Sequence, residues 1–348
     1  MTIFVTGGAG FIGSAFVREA LKNNCKVVVY DKLTYAGHME NLNLNESVPF
    51  IKGCITDSVL VAKTLRAYQV DVVVNFAAES HVDNSLSSPG EFINTNIRGT
   101  YTMLSSSLEY YNELPTNKKA NFKYVQISTD EVFGALGATG AFTEESPYRP
   151  NSPYSASKAA ADHLVRAWYF SYKLPTILTN CSNNYGPRQF PEKLIPSTIV
   201  KALKGDRLPV YGNGLNVRDW IHVTDHCKGI LQAIETGKPG EVYCFGGAAE
   251  VANIDVVKKI CAYLDVIRPL AQGRAHSELI EFVKDRAGHD FRYAIDDSKA
   301  RSQLGFKPDF ASFEDGLKST VDWYLANDDW IKSVSNKSSK QNSTKDPV

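Results

Sequence analysis

The chain has 348 residues, 43% of them apolar and 22% charged, with 38 basic side chains balancing 38 acidic ones. Length and composition suit a globular protein with a sizeable core, and the even charge balance gives no sign of a polyanion-binding surface, so nucleic acid is not an expected partner. Six scattered cysteines, Cys25, Cys54, Cys181, Cys227, Cys244 and Cys261, offer no close pair for zinc or redox exchange; reduced thiols and no metal site are expected.

The sequence opens on the strand-like run Ile3-Phe4-Val5-Thr6, which leaves no room for the charged and apolar regions of a signal peptide. It has no apolar run of membrane length, and a cytoplasmic location is the expectation. Short Val- and Ile-rich runs then alternate with helix-period segments. Residues Ile3–Thr6, Lys26–Asp31, Phe50–Lys52, Asp71–Phe76, Tyr124–Ser128 and Thr176–Asn180 read as strands. The alternation predicts an α/β fold with a Rossmann-type, doubly wound parallel sheet covered on both faces.

The first strand runs into Gly7-Gly8-Ala9-Gly10-Phe11-Ile12-Gly13. Glycines there let backbone turn tightly and approach a pyrophosphate, which the free N–H groups of the following helix attract. Asp31, at the end of the second strand, suits the adenosine ribose hydroxyls and repels a 2′-phosphate, favouring NAD over NADP; the adjacent Lys32 weakens that preference slightly. Asp57 either contacts the adenine amino group or caps the helix from Ser58. The segment Ala77-Ala78-Glu79-Ser80-His81-Val82-Asp83 follows the fourth strand at the edge where ligands of such sheets bind. His81 there is either a substrate contact or a hydrogen-bonded structural residue.

Ile97, Tyr101, Leu104, Leu108 and Tyr111 share one face of a helix, as do Ala160, Leu164 and Trp168 on a second. The second helix also shows Val165, Tyr169 and Tyr172, more apolar surface than packing on the sheet needs. A homodimer paired through the helices near 97–111 and 155–172 is expected.

Between them lies Ile127-Ser128-Thr129-Asp130-Glu131-Val132-Phe133-Gly134, followed by Tyr154-Ser155-Ala156-Ser157-Lys158. On a helix, Tyr154 and Lys158 stand one turn apart on one face. The ammonium, with the cationic end of a nicotinamide nearby, favours the phenolate and makes Tyr154 a base for a hydroxyl whose carbon gives up a hydride. Asp130 and Glu131 either cap the following turn or divide labour as acid and base. In the second case an oxidised sugar carbon acidifies its neighbour, one carboxylate takes that proton, and the other protonates a departing hydroxyl. The sum is an internal redox dehydration.

After Asn180 the chain becomes loop-rich, with Arg, Lys and Tyr among turn residues, which suits a nucleoside diphosphate. Val223–Glu235 has helical period and Glu241–Phe245 is strand-like, so the chain is expected to return to the first unit. The boundaries read as 1–181 plus about 222–248 for the NAD-binding unit and about 182–221 plus 249–332 for a smaller α/β substrate-binding unit. Residues 333–348, rich in Ser, Lys, Asn and Gln, are expected to form a disordered tail.

The segments Thr6–Ser14, Asp31–Gly37, Phe76–Asp83, Ser128–Gly134, Tyr154–His163, Thr179–Pro187 and Gly288–Asp290 resemble the dTDP-glucose 4,6-dehydratases, a branch of the extended short-chain dehydrogenase/reductases. The resemblance implies Tyr154 as base at the sugar C4 hydroxyl, Lys158 as its electrostatic partner, Thr129 as a hydrogen-bonding neighbour, Glu131 as base at C5 and Asp130 as acid at the C6 hydroxyl. It implies NAD held by Gly7, Gly10, Phe11, Ile12, Gly13, Asp31, Lys32, Thr34, Gly37, Asp57, Ala77, Ala78, Ser80, Asn96, Tyr154, Lys158, Cys181 and Asn183. It implies nucleotide-sugar contacts from His81, Thr129, Asn183, Glu192, Lys193, Leu194, Pro209, Tyr211, Arg218, Asn253, Arg286 and His289. Two departures stand out: His38 where the family commonly has asparagine, and Arg188-Gln189 before Phe190, which bears on access to the sugar. A 4-epimerase or decarboxylase of the same superfamily would share the glycine loop and the Tyr-Lys pair without needing the Asp-Glu pair. A catalytically idle NAD-binding protein would need none of the five. Whether the base is thymine or uracil is not legible, since one methyl is worth only about 1–3 kcal/mol.

Overall fold

The computed structural model describes residues 1–42, 48–286, 288–310 and 312–342, with side chains as far as residue 335. Seven strands form one parallel sheet: β1 (Thr2–Thr6), β2 (Lys26–Asp31), β3 (Phe50–Lys52), β4 (Val72–Asn75), β5 (Lys123–Ile127), β6 (Thr176–Cys181) and, later in the chain, β10 (Val242–Phe245). Their spatial order is β10-β6-β5-β4-β1-β2-β3. Because successive strand residues point to opposite faces, Val29, Val5, Val74, Val125 and Ile177 run in register across one face. Their neighbours Val28, Phe4, Val73 and Tyr124 run across the other. Both rows are buried under helices, which is why the strands read as continuous apolar runs rather than alternating ones.

A second core lies beside the sheet. Ile195 and Ile199 of the Leu194–Lys204 helix pack there with Val256, Val257 and Ile260 of the Asn253–Ile267 helix and with Leu317 and Val321 of the Phe313–Ala326 helix. Two small sheets frame it. One pairs β11 (Glu250–Ala252), β9 (Val217–His222) and β7 (Asn183–Tyr185); the other pairs β12 (Ile280–Val283) with β8 (Leu208–Tyr211). No helix among the described residues is long and apolar enough to cross a membrane.

Two expectations need correction. Ala300, Leu304 and Phe306 pack into the large-sheet core, so the stretch 249–332 is itself interrupted by a return to the first unit. Residues 333–342 continue a helix that starts at Asp328, where a disordered tail was expected. Trp330, Ile331 and Val334 seat this helix in the second core, and the Trp330 indole donates to Asn41 Oδ1 at 2.9 Å. Three apolar residues on one face suffice to dock a helix, and polar composition around them hides it. Residues 343–348 lie outside the described residues.

Candidate active site

The strand order reverses at β1 and β4, and the loops after both strands flank that point. In doubly wound sheets this is where a crevice opens at the carboxyl ends of the strands. Gly7 turns there with φ +66°, and a Cβ on it would lie 2.6 Å from the Ala77 backbone nitrogen, so only glycine lets the two loops meet. Gly10 caps the Phe11–Lys22 helix without any side-chain hydrogen bond, leaving the first-turn N–H groups to face the cleft. The Asp31 carboxylate accepts from Ala9 N at 2.9 Å and Leu33 N at 2.7 Å, which fixes it at the mouth of the glycine loop. One continuous cleft, about 1610 Å³ with its open mouth, runs from Gly7, Gly10, Phe11, Ile12, Gly13, Asp31, Lys32, Thr34 and Gly37 past Ala77, Ala78 and Ser80 to the far end described next. An uncapped helix start, a cradle that a Cβ would fill and an acidic residue beyond it fit a dinucleotide, with Asp31 at its ribose end.

At the far end two elements meet. Tyr154 and Lys158 rise from the first turns of the Pro153–Tyr172 helix, whose start is fixed by Ser152 in a capping box with Ser155 and by proline at its first position. Facing them is the turn after β5, a short 3₁₀ helix over Asp130–Phe133 capped by the Thr129 hydroxyl, which accepts from Glu131 N at 3.2 Å. The Lys158 ammonium donates to the Ile127 carbonyl at 2.6 Å, and Asn180 Nδ2 donates to the Thr129 carbonyl at 2.9 Å, so helix, turn and β6 are tied together. Thr129, Asp130, Glu131, Tyr154, Lys158, Cys181 and Asn183 all line the same cleft.

The electrostatics are those of a buried site. Asp130, 2% exposed, is pushed well above the usual carboxylate range by burial, then by Glu131 and Asp219. Glu131 is also pushed up by burial, while Lys193, Arg218 and Arg286 pull it back. In the chain alone Tyr154 is held far above its ordinary value, by burial first and then by Glu131. Lys158 is not among the foremost influences on it.

The remaining expected residues divide between the cleft, its rim and positions outside it. Asp57 caps the Ser58–Ala67 helix through Leu60 N at 3.0 Å, outside the cleft lining, which is the capping alternative. Asn96 is buried and its amide is taken by Glu79 and Ser157, so it braces the Ala77–Ser80 segment against the Tyr154 helix rather than lining the cleft. His81 caps a helix through Asn84 N at 3.4 Å, and burial first, then Lys193, push its pKa down to about 4, leaving it neutral. It lies 3.8 Å from Glu192, which lines the cleft with Lys193 and accepts from Tyr35 at 3.2 Å. Arg286 pairs with Asp83 at 2.6 Å and lies over the Tyr211 ring, which His289 meets edge-on. Arg218, which does not line the cleft, donates to the Asp290 carbonyl at 2.9 Å. Leu194 and Asn253 start helices of the second core, and Pro209 lies exposed on β8.

Sequence reasoning missed Gly53, Cys54 and Ile55, which enter the cleft because they follow β3 as Asp31 ends β2. Position after a strand was the available signal. It gave Gln189 only a bearing on access to the sugar and Phe190 no role of its own. Gln189 lines the cleft and donates to the Asn184 carbonyl at 2.9 Å, and Phe190 stacks on His38 at 5.6 Å.

Comparison with known proteins adds an independent line. Residues 4–320 match the family model described as GDP-mannose 4,6 dehydratase. The chain is 53% identical over 336 residues, 96% of this chain and 95% of the relative, to a dTDP-glucose 4,6-dehydratase of Xanthomonas campestris pv. campestris strain B100. It is similar to the Streptomyces venezuelae dTDP-glucose 4,6-dehydratase solved with NAD and TYD bound, with TM-score 0.85, 42% identity, and coverage of 96% of this chain and 100% of that one. A UDP-glucose 4-epimerase of Thermotoga maritima shares the architecture at TM-score 0.82 but only 28% identity, covering 94% of this chain and 99% of that one.

Proposed function

The chain belongs to the GDP-mannose 4,6 dehydratase family, and from that premise we infer that it is an NAD-dependent 4,6-dehydratase converting dTDP-glucose to the 4-keto-6-deoxy sugar. The observation that carries this reading is the Asp130–Glu131 pair in one cleft with Tyr154 and Lys158. A 4-epimerase only oxidises and re-reduces C4 and has no use for the pair.

NAD, which the glycine loop and Asp31 would hold, would supply the hydride acceptor for oxidation at C4 and the hydride donor for C6. Tyr154 accepts the C4 hydroxyl proton, with Lys158 and Thr129 holding it in place. The C4 ketone acidifies C5–H, and Glu131 removes that proton while three cations keep its charged form accessible. Asp130, buried and disposed to keep its proton, gives it to the C6 hydroxyl as the C6–O bond breaks, releasing water and leaving a C5=C6 double bond; Glu131 returns its proton to C5 as the hydride is added at C6. Gly7, Gly10 and Gly13 hold the pyrophosphate of the cofactor and Asp31 its ribose. Lys193 and Arg286 serve the substrate diphosphate, Tyr211 and Pro209 the base, and Glu192 the sugar.

The protein forms a homodimer through the Thr100–Glu113 and Pro153–Tyr172 helices. Support comes from Tyr101, Phe170 and Tyr172, each more than half exposed on adjacent helices, with Tyr101 packed edge-on to Trp168 at 5.9 Å. Incubation with dTDP-glucose and with UDP-glucose, followed by assay of the 4-keto product, tests the activity: dTDP-glucose is turned over, and turnover of neither overturns the reading. Sedimentation at micromolar concentration tests the dimer; a monomer there excludes it.

A further inference from the structure

One buried acid beside the site has no part in the chemistry above. Asp162 sits on the Pro153–Tyr172 helix one turn after Lys158 and is 2% exposed. One of its oxygens, Oδ2, accepts from the Ser128 hydroxyl at 2.6 Å and from the Tyr148 hydroxyl at 3.1 Å. The other, Oδ1, meets no partner at hydrogen-bond geometry among the described residues, though the Asn180 side chain favours the charged carboxylate. Ser128 lies between Ile127, whose carbonyl holds Lys158, and Thr129, which caps the turn carrying Asp130 and Glu131. Two ties therefore join the helix to the end of β5, one from Lys158 and one to Asp162.

We propose that Asp162 is a positioning residue of the reaction: its carboxylate, when ionised, supplies the negative charge that favours the cationic form of Lys158, and it locks the Tyr154 helix in register with the Asp130–Glu131 turn. This rests on the dehydratase reading. Lys158 and Asp162 make no direct ion pair among the described residues, so Asp162 acts on the ammonium through its field. Both side chains are buried, 4% and 2% exposed, where such an interaction exceeds that of a surface pair. Burial pushes the Lys158 pKa down, and Asp162 is the foremost group opposing that. The groups facing this pair are few. Tyr154 lies on the same helix, and Cys181 comes from β6. Tyr148 comes from the loop after Gly134 and touches the His163 ring, with Cys244 of β10 behind it. Asp130 and Glu131 come from the turn. Lys158 is the only cation facing Asp162 among the described residues that perturb it.

The test separates charge from scaffold. Because both hydroxyls converge on one oxygen, Asp162→Asn can keep both hydrogen bonds while losing the charge. The measurement is the pH dependence of kcat for conversion of dTDP-glucose by the purified holoenzyme, with melting temperature and bound NAD measured alongside. Wild-type turnover establishes the parent reading; its absence counts against that reading and not against this one. With turnover in hand, the alkaline limb of the Asp162→Asn profile is expected to move down by about one pH unit, as loss of a neighbouring charge requires. A profile that superimposes on wild type, or a uniform loss at every pH in step with lost stability, overturns the proposal. Should Asp162→Asn not fold, Tyr148→Phe is the second variant. It removes a donor to the charged carboxylate, so the acid limb moves up by roughly half a unit; an unmoved acid limb overturns the proposal.

Discussion

At the scale of single residues, the site works by contrast between neighbours. Asp130 and Glu131 are adjacent in sequence, yet the 3₁₀ turn buries the first under Thr129 and turns the second toward Lys193, Arg218 and Arg286. Glu131→Gln removes the base for C5 while leaving Tyr154 and Lys158 untouched. It is expected to lower overall turnover by about 10²- to 10⁴-fold, yet still to oxidise C4, so that reduced-cofactor absorbance accumulates on mixing with dTDP-glucose. Loss of that first oxidation as well would show that Glu131 serves another step. Asp130 also makes stability depend on pH. Its folded pKa lies above its unfolded one, so the folded state binds more protons between the two, and stability falls as pH rises through that window. Asp130→Asn is therefore expected to melt above wild type at neutral pH, with the advantage shrinking toward pH 4; equal melting temperatures at pH 7 would contradict the burial argument.

At the scale of elements, the same residues depend on where strands end and helices begin. The strands of the large sheet were legible because each is a short β-branched run bounded by turn residues. The glycine loop and Tyr154–Lys158 were legible because their spacing has a mechanical reason. What escaped was set by tertiary packing. Asp57 and His81 cap helices, and Asn96 braces two loops, none of which a spacing rule distinguishes from a ligand contact. A π-helix across Ile93–Gly99 offsets Ile97 from the rest of the face expected over 97–111, and within the following α-helix Leu104 is buried while Tyr101 is 52% exposed. Two variants test elements directly. Gly7→Ala forces φ +66° on a side chain and drives its Cβ into the Ala77 backbone, so the purified protein should lose its retained NAD and about 1–3 kcal/mol of stability. Trp330→Ala empties the seat of the last helix in the second core and should cost about 3 kcal/mol in denaturant unfolding. An unchanged midpoint would mean that this helix does not stabilise the fold.

At the scale of the whole molecule, two cores face each other across the cleft, and polar bridges span its rim. Arg286 reaches Asp83 at 2.6 Å, Tyr211 reaches the same carboxylate at 3.4 Å, and Lys193 reaches the Ser80 carbonyl at 3.0 Å. The cations assigned to the substrate diphosphate thus already sit at the seam between the units, where a bound nucleotide would touch both. Arg286→Ala is expected to raise KM for dTDP-glucose roughly tenfold with a smaller change in kcat, the pattern of lost binding rather than lost chemistry. An unchanged KM would remove Arg286 from the substrate site. The central claim, that Asp130 and Glu131 turn a dehydrogenase-type site into a dehydratase, concerns where the hydride goes. It is tested by giving the enzyme dTDP-glucose labelled with deuterium at C4 and locating the label in the product. Deuterium in the C6 methyl group of the 4-keto sugar is the predicted result; deuterium still at C4, or a C4 epimer with its C6 hydroxyl intact, would contradict the account.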